Sequence, residues 1–220
     1  MIELRNIKKI YRTPEVNTIA LNNVSMSIKE GEFISITGPS GCGKTTLLNI
    51  LGLLDSPDNG DYFFDGKNIA KYSELRITSI RKNSVGFIFQ NFNLIDELNV
   101  FKNIEIPLLY HKIPLSERVS RINNLVEKLS IKYLMKKFPQ QLSGGEQQRV
   151  AVARAMVANP RFIIADEPTG NLDSKNANDV INLLKTFNKE GTTIIMVTHD
   201  LKFASVADRI IKLQDGTMIK

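Results

Sequence analysis

The chain has 220 residues, 42% of them hydrophobic, and a formal net charge of +6 from 29 Lys+Arg against 23 Asp+Glu. This excludes a disordered chain, and no window approaches the roughly 20 apolar residues that span a membrane. The single Cys42 excludes an internal disulfide and a zinc cluster, and the dispersed basic residues, with no aromatic-interleaved basic segment, give no reason to expect a nucleic-acid partner.

Val24-Ser25-Met26-Ser27-Ile28 alternates like an edge strand, Gly31 breaks it, and Phe33-Ile34-Ser35-Ile36-Thr37 forms a second strand. It runs into Gly38-Pro39-Ser40-Gly41-Cys42-Gly43-Lys44-Thr45, which matches the P-loop pattern residue for residue. A helix is predicted to begin near Lys44, with Leu47, Leu48, Ile50, Leu51 and Leu54 at helical spacing, before the turn cluster Ser56 to Gly60. Val85-Gly86-Phe87-Ile88-Phe89 reads as a buried strand ending at Gln90, and residues 91–158 turn strongly helical. Within that segment Ser116-Glu117-Arg118 opens an amphipathic helix through Leu129. Pro139 then separates it from Leu142-Ser143-Gly144-Gly145-Glu146-Gln147-Gln148-Arg149 and a helix over Glu146 to Ala158. Phe162-Ile163-Ile164-Ala165 and Thr193-Ile194-Ile195-Met196-Val197 are apolar on both faces, as parallel strands covered by helices must be. The absence of a Pro/Ser/Gly-rich linker and of any repeat argues for one α/β body.

Strand, P-loop and helix in that order form a phosphate cradle. Glycines let backbone N–H groups close around the anion, Lys44 adds a charge near the β and γ groups, and Thr45 offers a hydroxyl to Mg²⁺. The Ser143-Gly144-Gly145 turn opens another helix and aims a second set of N–H groups at an anion. Asp166 and Glu167 end an apolar strand, where Asp166 would hold Mg²⁺ through water and Glu167 would polarise an attacking water as general base. His199 also follows a strand and is read either as a contact to the γ-phosphate or as a surface residue near a cap. Gln90 is either an amide ligand for Mg²⁺ or a polar residue opening a loop. Tyr11 either stacks on adenine or is a half-buried strand tyrosine.

Taken in order, the P-loop, Gln90, Leu142 to Arg149, Asp166-Glu167, Asn171-Leu172-Asp173 and His199 resemble the nucleotide-binding subunit of an ATP-binding cassette transporter, over essentially the whole chain. Ala20 to Ser25, Leu51 to Pro57, Phe89 to Leu94 and Asn103 to Leu108 are similar to phrases of the macrolide-exporter and lipoprotein-releasing subfamily. Departures are Asn171, where many cassettes have Ala, and Cys42, where Ser is common; the latter suggests sensitivity to thiol reagents.

The resemblance implies an α/β P-loop NTPase core with a mostly parallel sheet, an N-terminal antiparallel β part and a helical insert. Residues 1–90 and 159–220 would form the core and about 91–158 the insert, whose start after Gln90 would face a permease. It implies ATP and Mg²⁺ as ligands, with Thr46 joining the phosphate contacts, and Thr45, Gln90 and Asp166 serving the metal. It further implies an ATP-dependent head-to-tail homodimer in which Ser143, Gly144 and Gly145 complete the other subunit's P-loop. Because the sequence ends at Lys220, a separate transmembrane permease is expected, with the chain cytoplasmic and peripheral on the inner face of the membrane. Export or extraction of a peptide, lipoprotein or drug is the function implied, and an envelope mechanotransmission or peptide-sensing complex is the alternative. A repair- or translation-type cassette would carry coiled-coil inserts, zinc modules or tandem cassettes, which the sequence lacks.

Overall fold

Hydrophobic alternation and turn chemistry divide the chain into ten strands and seven α-helices, seen in a computed structural model that describes residues 1–14 and 16–219. In order they are β1 (Ile2–Arg12), β2 (Asn17–Ile28), β3 (Phe33–Thr37), α1 (Lys44–Leu51), β4 (Asn59–Phe64), β5 (Lys67–Asn68), α2 (Glu74–Ser84), β6 (Val85–Phe89) and α3 (Val100–Tyr110). Then come α4 (Leu115–Lys128), α5 (Gly144–Met156), β7 (Phe162–Asp166), α6 (Ser174–Lys189), β8 (Thr193–Val197), α7 (Leu201–Ala204), β9 (Arg209–Gln214) and β10 (Thr217–Ile219).

The strands make two sheets. One is antiparallel, in the order β2-β1-β4-β5; the other has six strands in the order β10-β9-β3-β8-β7-β6, parallel except for the β9–β10 hairpin. Side chains of the six-stranded sheet alternate between two cores, as period two demands. Phe33, Ile163, Ala165, Ile194 and Met196 pack with residues of α3, α4, α5 and α6. Ile34, Ile36, Phe162, Ile164, Ile195 and Val197 pack instead with α1 and the antiparallel sheet. The helices α1 and α5 therefore lie on opposite faces of the sheet.

Three expectations change. The helix α1 stops at Leu51, so Leu54 is off its apolar stripe and 48% exposed. Leu53 turns left-handed (φ 60), and the N–H groups of Leu53 and Leu54 donate to Ile50 and Asn49, the paired bonds that close a helix C-terminus. The strand Val85–Phe89 is only half-buried, because β6 is the last strand of its sheet and only Gly86 and Ile88 are buried. The helix predicted from Glu146 starts at Gly144 and ends at Met156, because Ser143 caps it.

The segment between β6 and β7 is helical, and it contains a buried ion pair. Glu105 is 2% exposed and accepts from Arg118 Nε at 2.7 Å, while the same guanidinium donates to the Ile113 carbonyl at 2.6 Å. Removing the Arg118 guanidinium leaves the buried Glu105 with only the exposed Lys102, 3.5 Å away, as a charged partner. Arg118→Ala is therefore expected to cost about 3 kcal/mol of stability, measured by urea unfolding; a loss within experimental error would contradict the pairing.

Candidate functional site

Strand register gathers the site. Ile36 pairs with Val197, Val197 with Asp166, and Asp166 with Phe89, making one row across β3, β8, β7 and β6. One residue further on stand Thr37, which ends β3, and Thr198, Glu167 and Gln90, just past the ends of β8, β7 and β6, with Gly38 and His199 following. At about 4.8 Å per strand, the crevice from the phosphate loop to Gln90 is about 14 Å wide. Such a strand-end crevice is where open α/β sheets bind ligands.

The phosphate loop is braced from beneath and open above. The Gly216 N–H donates to the Cys42 carbonyl at 3.0 Å, and the Asn22 N–H donates to the Gly216 carbonyl at 2.8 Å, so both sheets grip it. Gly43 takes φ 100, and a Cβ there or on Gly38 would collide with the Ala20 or Leu213 carbonyl, so the loop can lie this deep only with glycine. The first turn of α1 has neither a side-chain cap nor an acidic residue, which leaves its N–H groups and the positive end of its dipole for an anion. Lys44 Nζ bridges the Gly38 and Pro39 carbonyls at 2.8 and 2.7 Å. Pro39, Ser40, Gly41 and Thr45 are exposed, and Thr46 is half-buried beside them. The thiol expectation fails on burial: Cys42 is 3% exposed and packed with the core beneath the loop, where reagents reach it poorly.

Asp166 and Glu167 differ in surroundings. Burial, reinforced by the charge of Glu167, holds the Asp166 carboxyl above the usual carboxylate range, against a pull from Lys44. A carboxyl raised in the folded state is one whose ionisation costs stability as pH climbs past its unfolded value near 4. Asp166→Asn is therefore expected to raise the thermal midpoint at pH 7 in Mg²⁺-free, nucleotide-free buffer, with the gain fading toward pH 4. Calorimetry that finds the variant no more stable at pH 7 would contradict this.

Glu167 is held left-handed at φ 43, its N–H donating to the Val197 carbonyl at 3.0 Å. Such a conformation in a non-glycine residue stores strain. Its Oε2 lies 3.0 Å from His199 Nδ1. A carboxylate oxygen accepts, so Nδ1 carries the hydrogen and Nε2 is left for another partner. His199 lines two cavities, one of about 230 Å³ shared with Glu167, Gly170 and Leu172, the other of about 320 Å³ shared with Gly38 and Pro39. It is thus the side chain common to the Glu167 and P-loop cavities.

The Ser143 turn belongs to the other face. Ser143 Oγ accepts from the Glu146 N–H, and Glu146 Oε2 accepts from the Ser143 N–H at 2.8 Å, a reciprocal cap. The Ser143 N–H, aided by the Tyr133 hydroxyl, holds the Glu146 carboxyl below its usual range. These caps leave the Gly144 and Gly145 N–H groups at the end of the helix. Gly145 lies against the Asn176 amide and Gly144 near Leu172. The helix α5 packs on α3, β6 and α6, while α1 packs on β7, β8 and β2.

The structure therefore brings the P-loop, Gln90, Asp166, Glu167 and His199 to one edge, and sets Ser143, Gly144 and Gly145 on a helix beneath the opposite face. Tyr11 is 43% exposed, not half-buried, and its hydroxyl donates to Asp55 Oδ2 at 3.2 Å. Two contacts escaped sequence reasoning. Gln148 is fully buried on α5 and donates to the Pro168 carbonyl at 2.6 Å, which ties the second turn's helix to the strand-end turn of Glu167. Arg154 forks onto the Phe92 and Asn93 carbonyls at 2.8 and 2.5 Å, holding the two left-handed residues that follow Gln90. Both donors lie in α5, most of whose residues are buried, and only their long-range partners mark them.

Comparison with known proteins follows the same lines. The family described as ABC transporter matches residues 21–170. An uncharacterized ABC transporter ATP-binding protein of Methanocaldococcus jannaschii is 48% identical over 220 residues, covering 100% of this chain and 98% of that protein. The macrolide export ATP-binding/permease protein MacB of Hyphomonas neptunium is 44% identical over 219 residues; all of this chain matches, spanning 34% of that longer protein. A solved ATP-binding cassette of Methanocaldococcus jannaschii, a dimer in a post-hydrolysis state bound to ADP and Pi, is similar with a TM-score of 0.92 and 42% identity. That match covers 100% of this chain and 97% of the other.

Proposed function

The chain belongs to the ABC transporter family as an ATP-binding domain, and on that premise we propose that it hydrolyses ATP as a head-to-tail homodimer and drives a membrane permease. The observation that carries this reading is the placement of the two anion-binding turns. The P-loop is an exposed cradle served by Asp166, Glu167, Gln90 and His199 at the strand ends, while the uncapped N–H groups of Gly144 and Gly145 stand on a helix beneath the opposite face. An open cradle leaves a bound phosphate half-solvated, and a second protein surface is what excludes water there. Ser143, Gly144 and Gly145 of another copy supply that surface.

In this reading the loop N–H groups from Gly38 through Thr46 hold the phosphates, Lys44 leaves its two carbonyls for the β and γ groups, and Tyr11 offers its exposed ring to adenine. Thr45, Gln90 and Asp166 fit Mg²⁺: they form a set of hard oxygen donors, and the strained ionisation of Asp166 is one that a cation relieves. When bound with the nucleotide, Mg²⁺ neutralises charge that develops on the transferred phosphoryl group. Glu167 takes the proton of the attacking water, and His199, oriented through Nδ1 by that carboxylate, in its imidazolium form donates its Nε2–H to the γ-phosphate. Loss of that phosphate removes what joins the two copies, and the dimer opens.

Among the described residues no helix is long and apolar enough to cross a membrane. ATP-binding relatives of nearly this chain's length support a permease on a separate polypeptide, and in this reading the cassette is cytoplasmic and peripheral on the inner membrane face. The MacB relatives' printed role in macrolide export favours outward movement of a drug, lipoprotein or peptide. We assign residues 1–90 and 159–220 to the ATP-binding core and about 91–158 to the arm that meets the permease. The test is dilution: ATPase turnover per chain should rise with protein concentration, and turnover per chain independent of concentration would contradict the shared site. Recovery from native membranes without any membrane protein would contradict the coupling.

A further inference from the structure

The two ends of a glutamine amide are nearly the same size, yet a cation binds the oxygen and is repelled by the NH₂. A Gln ligand therefore needs something to decide which end it presents. In this chain the decision follows from a carbonyl that can only accept. The backbone oxygen of Gln90 accepts from Asn171 Nδ2 at 3.1 Å, and the same NH₂ donates to Asn91 Oδ1 at 2.9 Å. Asn171 must then turn its Oδ1 away from residues 90 and 91, and that oxygen meets Gln90 Nε2 at 3.3 Å. Gln90 spends its nitrogen on Asn171, which leaves Oε1 for another partner. Gly170 lies against the same amide: a Cβ there would sit 2.8 Å from Nε2 and 3.1 Å from Cδ, so a side chain at 170 would displace the group.

We propose that Asn171 is a positioning residue for the metal, fixing the Gln90 amide so that its oxygen faces the phosphate crevice. This rests on the reading of Gln90 as an Mg²⁺ ligand. Removing such an outer partner typically weakens metal affinity by about 10- to 100-fold. A hydrogen bond that merely stabilised the loop would lower the thermal midpoint and leave the Mg²⁺ requirement alone.

The experiment titrates free Mg²⁺ against binding of a fluorescent, non-hydrolysable ATP analogue to the full chain, with EDTA as the metal-free reference. Asn171→Ala is expected to raise the half-maximal Mg²⁺ concentration about tenfold, with affinity in EDTA unchanged. Gly170→Ala, which displaces the same amide, should shift it the same way. A carboxylate carries oxygen at both ends, so in a Gln90→Glu background Asn171→Ala should leave the Mg²⁺ midpoint unmoved. If Asn171→Ala shifts nothing while Gln90→Ala raises the midpoint, the positioning role falls and the ligand role of Gln90 stands. If Gln90→Ala itself shifts nothing, the ligand reading falls and takes the proposal with it. An equal shift from Asn171→Ala in both backgrounds would mean that Asn171 does not act through the orientation of the Gln90 amide, and would overturn the proposal.

Discussion

Glu167→Gln is expected to bind ATP with Mg²⁺ as tightly as the parent chain and to hydrolyse it about 10³-fold more slowly, the usual scale for a lost general base. The substitution keeps the left-handed backbone, the N–H bond to Val197 and the size of the side chain, so the loss falls on proton transfer rather than on the fold. The phosphate cradle of Gly38 to Thr45 is untouched. Because nucleotide then persists, the two copies it joins should accumulate as a dimer in ATP and separate in ADP, read by light scattering. Turnover at the parent rate would remove Glu167 from the chemistry. A slow variant that stays monomeric in ATP would separate the base from the dimer and leave only the former standing.

Ser143→Arg is expected to abolish turnover while the monomer's nucleotide affinity stays near that of the parent chain. Ser143 caps α5 and shares the cap with Glu146; its loss costs the helix about 1 kcal/mol, too little to unfold the chain. The arginine side chain would instead fill the space in front of the Gly144 and Gly145 N–H groups, where the account seats the γ-phosphate of a nucleotide held by the other copy. The monomer's own P-loop lies at the strand-end edge and leads into α1, on the other face of the sheet from α5; braced by the Gly216 N–H on the Cys42 carbonyl, it is expected not to feel the change. An equal loss of nucleotide affinity and turnover would mean that the turn serves its own loop.

Much of this site is legible in the sequence because two of the strands that feed it carry an apolar run with the candidate residues just beyond. Phe162 to Ala165 delivers Asp166-Glu167, and Thr193 to Val197 delivers Thr198-His199. The antiparallel sheet is harder to read residue by residue. In β1, Ile2 and Leu4 alternate inward, but Asn6 turns left-handed (φ 51) and shifts Ile7 out of period two. The hairpins at Asp65-Gly66 and Asp215-Gly216 carry a strong turn signal that the apolar patterning around them does not announce. Contacts such as Gln148 to Pro168, and Asn171 to Gln90 across 81 residues, have no local trace at all. They arise only when the sheet sets β6 beside β7 and α5 against the turn that follows. The burial of Cys42 is of the same kind: the loop pattern fixes its position, and packing against the core fixes its exposure.

The central claim is that each nucleotide site is built from two chains, and mixing two inactive variants tests it most directly. Lys44→Ala removes the P-loop charge and keeps the Ser143 turn, whereas Ser143→Arg does the reverse. In a mixed dimer whose sites are shared, both lesions fall in one site and the other is intact. The measurement is ATP hydrolysis by the mixture against each variant alone. The account expects activity to appear on mixing, and a mixture as inactive as its components would contradict it.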